Sequence, residues 1–294
     1  MTYCCGILVR DGLVMIADTR TNAGLDNVST FRKLHVYTEP GERIMALASS
    51  GNLSLGQSVR STLIEGFENP DTSERETLLN SPTMFQGAQR IGRAIRTVQS
   101  VEGKALDAAE IDHEVAFLFG GQIKGSRLQL FMIYSAGNFI ECTTDTPYLQ
   151  IGEHKYGKPV LDRAIKFDTD LYDALKIGLV SMDSTMRSNL GVGLPIDIGV
   201  HPFDGAICVL DAKLRNQRGW RIAVIVRLLE PLEWSGIPSG REQRGDCIIP
   251  VVEHPRHIVG LVHQPLAIVG PTGREHILAH ALAVEKHLVS AKRR

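Results

Sequence analysis

The chain predicts an α+β fold in which two mainly antiparallel sheets pack together and carry helices on their outer faces. Three observations lead there. Apolar runs and amphipathic stripes alternate in blocks, in the order strands, two helices, strands, two helices, strands. A simple doubly wound parallel sheet alternates single strands with single helices and does not produce that order. The strand-like runs are continuously apolar, as in strands covered on both faces. The helix-like stretches carry one apolar stripe, as in helices covering a sheet on one side.

In chain order, residues 4–9 are apolar, Asp11-Gly12 is a hairpin signal, and residues 13–17 are apolar again. A polar stretch leads to strand-like residues 31–37. Pro40-Gly41 then turns the chain into residues 44–48. Leu55, Val59, Leu63 and Phe67 recur at four-residue spacing and predict the first helix. Met84, Ala88, Ile91, Ile95 and Val98 predict the second. Strands are expected at 115–119, 128–134 and 139–143. One helix is expected after Tyr156 and another along Leu171, Leu175, Leu179, Met182 and Met186. Two last strands are expected at 206–210 and 221–226.

After Pro231 the composition turns rich in Gly, Pro and charge. The expected organisation is a domain over 1–234, a linker over 235–247 and a C-terminal extension over 248–294. Within the extension, Thr272 with Glu275 three residues on matches a capping box and predicts a C-terminal helix.

Composition narrows the function classes. The 294 residues are 43% hydrophobic and 22% charged, which is ordinary for a globular protein. Lys and Arg total 32 against 33 acidic residues, so net charge gives no case for nucleic acid or an acidic membrane surface as a partner. Five scattered cysteines without a CxxC pair indicate neither a disulfide framework nor a zinc site. The start MTYCCGILVR has no signal-peptide pattern, and no apolar run is long enough to span a bilayer, so a cytoplasmic protein is expected. No cofactor is implied. Six of the ten histidines follow residue 248, and His276, His280 and His287 share one face of the expected helix. No Cys or acidic cluster accompanies them, which favours a solvated face over a metal site.

Thr2 is the candidate for the chemistry. Removal of Met1 leaves an α-amine, with an ordinary pKa of about 8, on the same residue as a hydroxyl. A base beside a hydroxyl is the Ser–His arrangement compressed into one residue. Asp18 ends one apolar run and Lys33 sits within FRKLHV, charged residues where apolar ones are usual. A lysine near the nucleophile lowers the proton affinity of both hydroxyl and amine, and a carboxylate holds that lysine in place. Gly51, in ASSGN, sits between a strand and a helix, where a backbone N–H can face a developing oxyanion. Cys4 and Cys5 lie in an apolar strand and read as buried structural thiols.

The opening MTYCCGILVRDGLVMIADTRTNAGLDNVSTFRKLHV resembles the Anbu (ancestral beta-subunit) family of bacterial proteasome homologues, and more distantly HslV-type peptidases and proteasome β-subunits. ASSGN, YLQIGEHKYGKPVLDRAI and MDSTMRSNLGVGLPIDIGV extend the resemblance over about residues 2–234. It implies the four-layer αββα sandwich of N-terminal-nucleophile (Ntn) hydrolases. It also implies Thr2 as nucleophile, Asp18 and Lys33 as its supporting pair, Gly51 as oxyanion donor and Asp183 as the acid orienting the amine, with Ser184 or Thr185 beside it. Gly152 and Glu153 stand where proteasomes have a serine, a departure in the residues around the nucleophile. The implied activity is a threonine peptidase or amidase working through an acyl-ester on a peptide or protein, in a homo-oligomeric ring. No unfoldase-docking signal identifies an ATPase partner. Two alternatives stand beside it: an Ntn amidase acting on a small molecule, and a catalytically silent ring scaffold.

Overall fold

The computed structural model describes residues 1–22, 28–39, 41–68, 73–202, 208–213, 223–228, 247–248, 267–269 and 275–277, with side chains up to His201. It divides into two compact units, Met1–Ile207 and Cys208–Arg294.

In the first unit the order is β1 (Tyr3–Val9), β2 (Gly12–Asp18), β3 (Arg20–Asn22), β4 (Val28–Thr30), β5 (Leu34–Glu39) and β6 (Arg43–Gly51). Then come α1 (Leu53–Glu65), β7 (Phe67–Glu68), β8 (Arg75–Glu76) and α2 (Met84–Ala108). Next are β9 (Val115–Ile123), β10 (Gln129–Ile133), β11 (Phe139–Glu141) and β12 (Tyr148–Gly152). The unit ends with α3 (Lys158–Ala164), α4 (Leu171–Ser188) and β13 (Ile196–Pro202). One antiparallel sheet runs β12-β1-β2-β13, and a second runs β11-β10-β9-β6-β5.

Side-chain alternation explains the packing. All seven residues of β1 and of β2 are buried, so both faces of these strands are covered. Cys4 and Leu8 of β1, with Leu13, Met15 and Ala17 of β2, share one core cluster with Ala46, Ala48, Leu118 and Leu130 of the second sheet. The intervening positions look the other way: Ile7 and Ile16 face Gly178 of α4, where a Cβ would stand 2.7 Å from Ile16 Cδ1. In the second sheet, Met45, Leu47, Phe117, Phe119, Phe131 and Ile133 form a separate cluster with Leu55, Val59 and Leu63 of α1 and Ala88, Ile91 and Ile95 of α2. Phe119 and Phe131 stack there at 6.4 Å, and Phe139 meets Phe131 edge-on at 5.8 Å.

The helical stripes are where their periodicity predicts, and each long helix has a side-chain cap. Asn52 accepts from Leu55 N–H, Thr83 from Gln86 N–H, and Asp170 from Tyr172 and Asp173 N–H. Some boundaries differ. Phe67 lies outside α1, because Gly66 at φ +85° ends the helix. Phe31 and Lys33 precede β5 rather than belonging to it, since Phe31 N–H is taken by the Thr19 carbonyl. The hairpin of β3 and β4, and the strands β12 and β13, were not foreseen from the sequence.

The second unit, taken alone, contains β14 (Cys208–Lys213), β15 (Ala223–Leu228) and β16 (Cys247–Ile248) in antiparallel pairs. It also contains a pair of β17 (Ala267–Val269) and β18 (Glu275–Ile277). The helix expected from the Thr272–Glu275 capping pattern is therefore corrected at Glu275–Ile277. There the backbone pairs with the β-prone Ala267–Val269, and ladder pairing overrides a local capping signal. His276 accordingly lies on a strand, while His280 and His287 are outside the described residues, as is nearly all of the 235–247 segment. Among the described residues no helix is long and apolar enough to cross a membrane.

Candidate active site

The site forms where four strand ends of the first sheet meet. β1 lies between β12 and β2, with Tyr3 opposite Gly152 on one side and Cys4 opposite Ala17 on the other. Thr2, just ahead of β1, is thus flanked by the end of β12 and by Asp18 at the end of β2. β13 brings Ile196 opposite Asp18, so the 189–195 loop that leads into β13 reaches the same place.

Asp18 and Lys33 meet there as the sequence predicts. Lys33 Nζ lies 2.8 Å from Asp18 Oδ1 and also donates to the Arg20 carbonyl at 2.6 Å. Asp18 is fully buried and Lys33 only 4% exposed. The carboxylate accepts further from Tyr3 N–H at 3.0 Å and from Gly193 N–H at 3.4 Å. Burial raises the Asp18 pKa above the ordinary carboxylate value, and Lys33 works against that rise.

Thr2, the candidate nucleophile, is buried, while Met1 ahead of it is 72% exposed. Its carbonyl accepts from Glu153 N–H at 2.7 Å. Gly152 explains that approach: at φ +83°, a Cβ there would stand 2.1 Å from Thr2 O. Tyr3 is anchored from below, its hydroxyl 2.5 Å from Ser181 Oγ, which itself donates to the Gly157 carbonyl at 2.7 Å.

Gly51 ends β6 at φ +96°, where a Cβ would stand 2.1 Å from Glu114 O, so strand approach alone accounts for a glycine. Asp183 is on α4, and its carboxylate accepts from Arg187 Nε at 2.7 Å, one helical turn away. No described contact joins it to Thr2 or to the Asp18–Lys33 pair. Ser184 Oγ donates to the Tyr156 carbonyl and Thr185 Oγ1 to the Ser181 carbonyl.

Three residues that sequence reasoning passed over belong to this site. Asn189 Nδ2 donates to Glu153 Oε2 at 2.7 Å, and Gly191 N–H donates to Asn189 Oδ1 at 2.9 Å. A Cβ on Gly191 would stand 2.7 Å from Met1 Cβ, and one on Gly193 would meet the Arg20 guanidinium at 2.4 Å. The Gly-x-Gly spacing in NLGVGLP is the signal available for them, since paired glycines mark close backbone approach. Beside Lys33 lies a shallow surface depression, lined also by Arg32, His35, Leu47, Ser49 and Arg60.

Cys4, Cys5 and Cys142 are held as thiols. Burial pushes the Cys4 pKa well above its usual value and those of Cys5 and Cys142 to about 12, which removes them as nucleophiles at neutral pH.

No protein-family model and no curated protein matches the chain. Solved structures do. It is 46% identical to Anbu (ancestral beta-subunit) from Yersinia bercovieri, over 69% of this chain and 82% of that one, with a TM-score of 0.62. It is likewise 46% identical to Anbu from Hyphomicrobium sp. strain MC1, over 69% and 84%, with a TM-score of 0.61. A Pseudomonas aeruginosa structure described as a helical assembly of the Anbu complex is 44% identical over 68% and 81%, with a TM-score of 0.62. With such identity spanning more than four fifths of each relative, the chain belongs to the Anbu (ancestral beta-subunit) family, whose members are proteasome-β-like.

Proposed function

We propose that this protein is an N-terminal-threonine peptidase or amidase that cleaves amide bonds through an acyl-ester on Thr2. The observation that carries the reading is the buried Lys33–Asp18 pair, whose carboxylate also takes the N–H of Tyr3, the residue next to Thr2. A buried ion pair is costly to assemble, and burying it against a strand end gives the core nothing that an apolar pair would not.

Once Met1 is removed, the α-amine of Thr2 accepts the proton of its own Oγ while Oγ attacks the substrate's amide carbon. The Lys33 ammonium favours the deprotonated hydroxyl, and Asp18 holds that ammonium in position. The Gly51 N–H supplies the oxyanion contact. The C–N bond then breaks, the leaving amine takes a proton, and water releases the acyl group from Thr2. Asp183, tied to Arg187 and separated from the ion pair, is not given a role in this reading.

The two core clusters, one between the sheets and one beneath α1 and α2, together with α4 over β1 and β2, support a four-layer αββα Ntn arrangement. A homo-oligomeric assembly, ring or helical, is proposed in line with the assembly described for the Pseudomonas aeruginosa relative. A peptide or protein substrate and a cytoplasmic location belong to the same proposal.

The deciding experiment pairs intact mass with Thr2→Ala. The purified protein is expected to lack Met1, to hydrolyse peptide amides and to be labelled by threonine-directed electrophiles; Thr2→Ala abolishes both activities. Retained Met1, or hydrolysis unchanged in Thr2→Ala, overturns the reading.

A further inference from the structure

We propose that the shallow depression beside Lys33 recognises an acidic side chain of a bound peptide, and that Arg60 sets this preference. The peptide is a substrate only on the reading of Thr2 as nucleophile; its recognition does not depend on that reading.

The depression lies where α1 meets β5, β6 and β9. Leu47 of β6 stands opposite His35 of β5, and Ser49 of β6 stands opposite Phe117 of β9. α1 packs on this spot at Gly56, where a Cβ would lie 3.7 Å from Ser49 Oγ, and Arg60 follows one helical turn later. Two contacts tie the place to the candidate active site. Ser49 N–H donates to the Lys33 carbonyl at 3.2 Å, and the Ser49 carbonyl accepts from Cys4 Sγ at 3.7 Å, two residues along from Thr2. Lys33 itself lines the depression and carries its ammonium to Asp18.

The charge here is one-sided. Arg32, Lys33, His35 and Arg60 line the depression, and among the described residues no carboxylate does. Lys33 is balanced by Asp18 at 2.8 Å, and Arg32 approaches Asp197 at 3.8 Å. Arg60 acts on groups of another kind. Burial first, then Arg60 and Arg32, hold His35 down at about 4, so the ring feels both guanidinium groups and is neutral at pH 7. Burial raises Tyr37 above its usual value while Arg60 opposes the rise, so that hydroxyl is neutral too. A ligand therefore meets the positive charge of Arg60 beside two neutral side chains.

Magnitudes favour an acid over an apolar group. Leu47 and Phe117 are each only 1% exposed, so an apolar side chain resting on them would withdraw little further surface from water. A carboxylate can take paired N–H groups from the Arg60 fork and a further one from the exposed Gln57 amide. Such charge-assisted bonds are about twice as strong as neutral ones. The shallowness suits a short chain, which makes aspartate or glutamate the chemical class.

The test uses the Thr2→Ala protein, which can bind a peptide without turning it over. Short fluorescent peptides, acetylated and amidated at their ends, carry a single glutamate at each position in turn, with glutamine or leucine as replacements. Fluorescence anisotropy is expected to show glutamate bound about tenfold more tightly than glutamine at one position. In Arg60→Gln that ratio is expected to fall to near one, with the glutamine and leucine peptides bound as before. Arg60→Lys, which keeps the charge and loses the fork, is expected to retain only part of the preference, and it decides should Arg60→Gln fail to fold. Glutamate and glutamine bound equally at every position, no measurable binding, or a preference unaltered by the Arg60 change overturns the proposal. Hydrolysis by the unmutated protein without preference for acidic peptides sinks this proposal and leaves the nucleophile reading standing. A preference in binding together with retained Met1 does the reverse.

Discussion

Lys33 and Asp18 form an ion pair of 2.8 Å that is almost wholly withdrawn from water, one residue removed from the candidate nucleophile. Breaking one side of such a pair leaves an uncompensated buried charge. Lys33→Met is expected to cost about 3–5 kcal/mol of stability. The double variant Asp18→Asn/Lys33→Met is expected to recover much of that loss while remaining inactive. Urea midpoints check the first point and peptide hydrolysis the second; a single variant as stable as the double one contradicts the coupling.

Asp18 also predicts an acid limb for activity. Its pKa is raised by burial, so protonation weakens the grip on Lys33 at a pH above the ordinary carboxylate value of about 3.9. The rate of electrophile labelling at Thr2 is expected to fall within that window. The sign for stability is opposite to that of an ordinary salt-bridged Asp. A raised folded pKa contributes stability that is present below the unfolded value and lost as pH rises through the folded one. The stability of the unmutated protein minus that of Asp18→Asn therefore falls as pH rises across the window, measured by urea midpoints at a series of pH values.

His35 should show the reverse slope. Burial first, then Arg60 and Arg32, lower its pKa to about 4. The neutral ring's contribution is complete above about 6.5 and is lost as pH falls through about 4. The stability of the unmutated protein relative to His35→Gln is thus expected to shrink over that interval. A difference that stays constant between pH 7 and pH 4 contradicts the assignment.

Gly152→Ala tests the seat of Thr2. The new methyl would stand 2.1 Å from Thr2 O, on a backbone at φ +83°. Strain at such an angle costs roughly 1–3 kcal/mol, and the clash pushes β12 away from β1. The expected result is a lower melting temperature with a much larger loss of Thr2 labelling. Labelling at the unmutated rate would show that the contact is dispensable.

Much of the frame is legible in the residues themselves. The α1, α2 and α4 stripes, the Asp11-Gly12 hairpin and the runs of β1, β2, β6 and β9 are local patterns, and periodicity reads local patterns. Thr2, Asp18 and Lys33 stand out for a related reason: each is a chemically conspicuous residue where apolar or inert ones are usual.

The strands that complete the site escaped that reading. β12 (YLQIG) is short and holds a polar residue and a glycine, while in β13 (IDIGVHP) Ile196, Ile198 and Val200 do alternate with Asp197, Gly199 and His201, but within a stretch rich in Gly and Pro. What makes them strands is the row of backbone donors and acceptors offered by β1 and β2, a partner distant along the chain. Asp183 illustrates the same limit from the other side. An acidic residue in a suggestive motif reads as a site candidate, yet α-helical spacing gives it Arg187 as a partner.

Residue type, position and the family resemblance thus let the sequence alone single out Thr2, Asp18 and Lys33 as a candidate constellation, and the structure brings Asp18 and Lys33 together beside Tyr3. Only the tertiary structure decided what surrounds them. Glu153, Asn189 and the 189–195 loop reach Thr2 through sheet register across more than 150 residues, and that register is set by pairing between distant strands, not by any local preference.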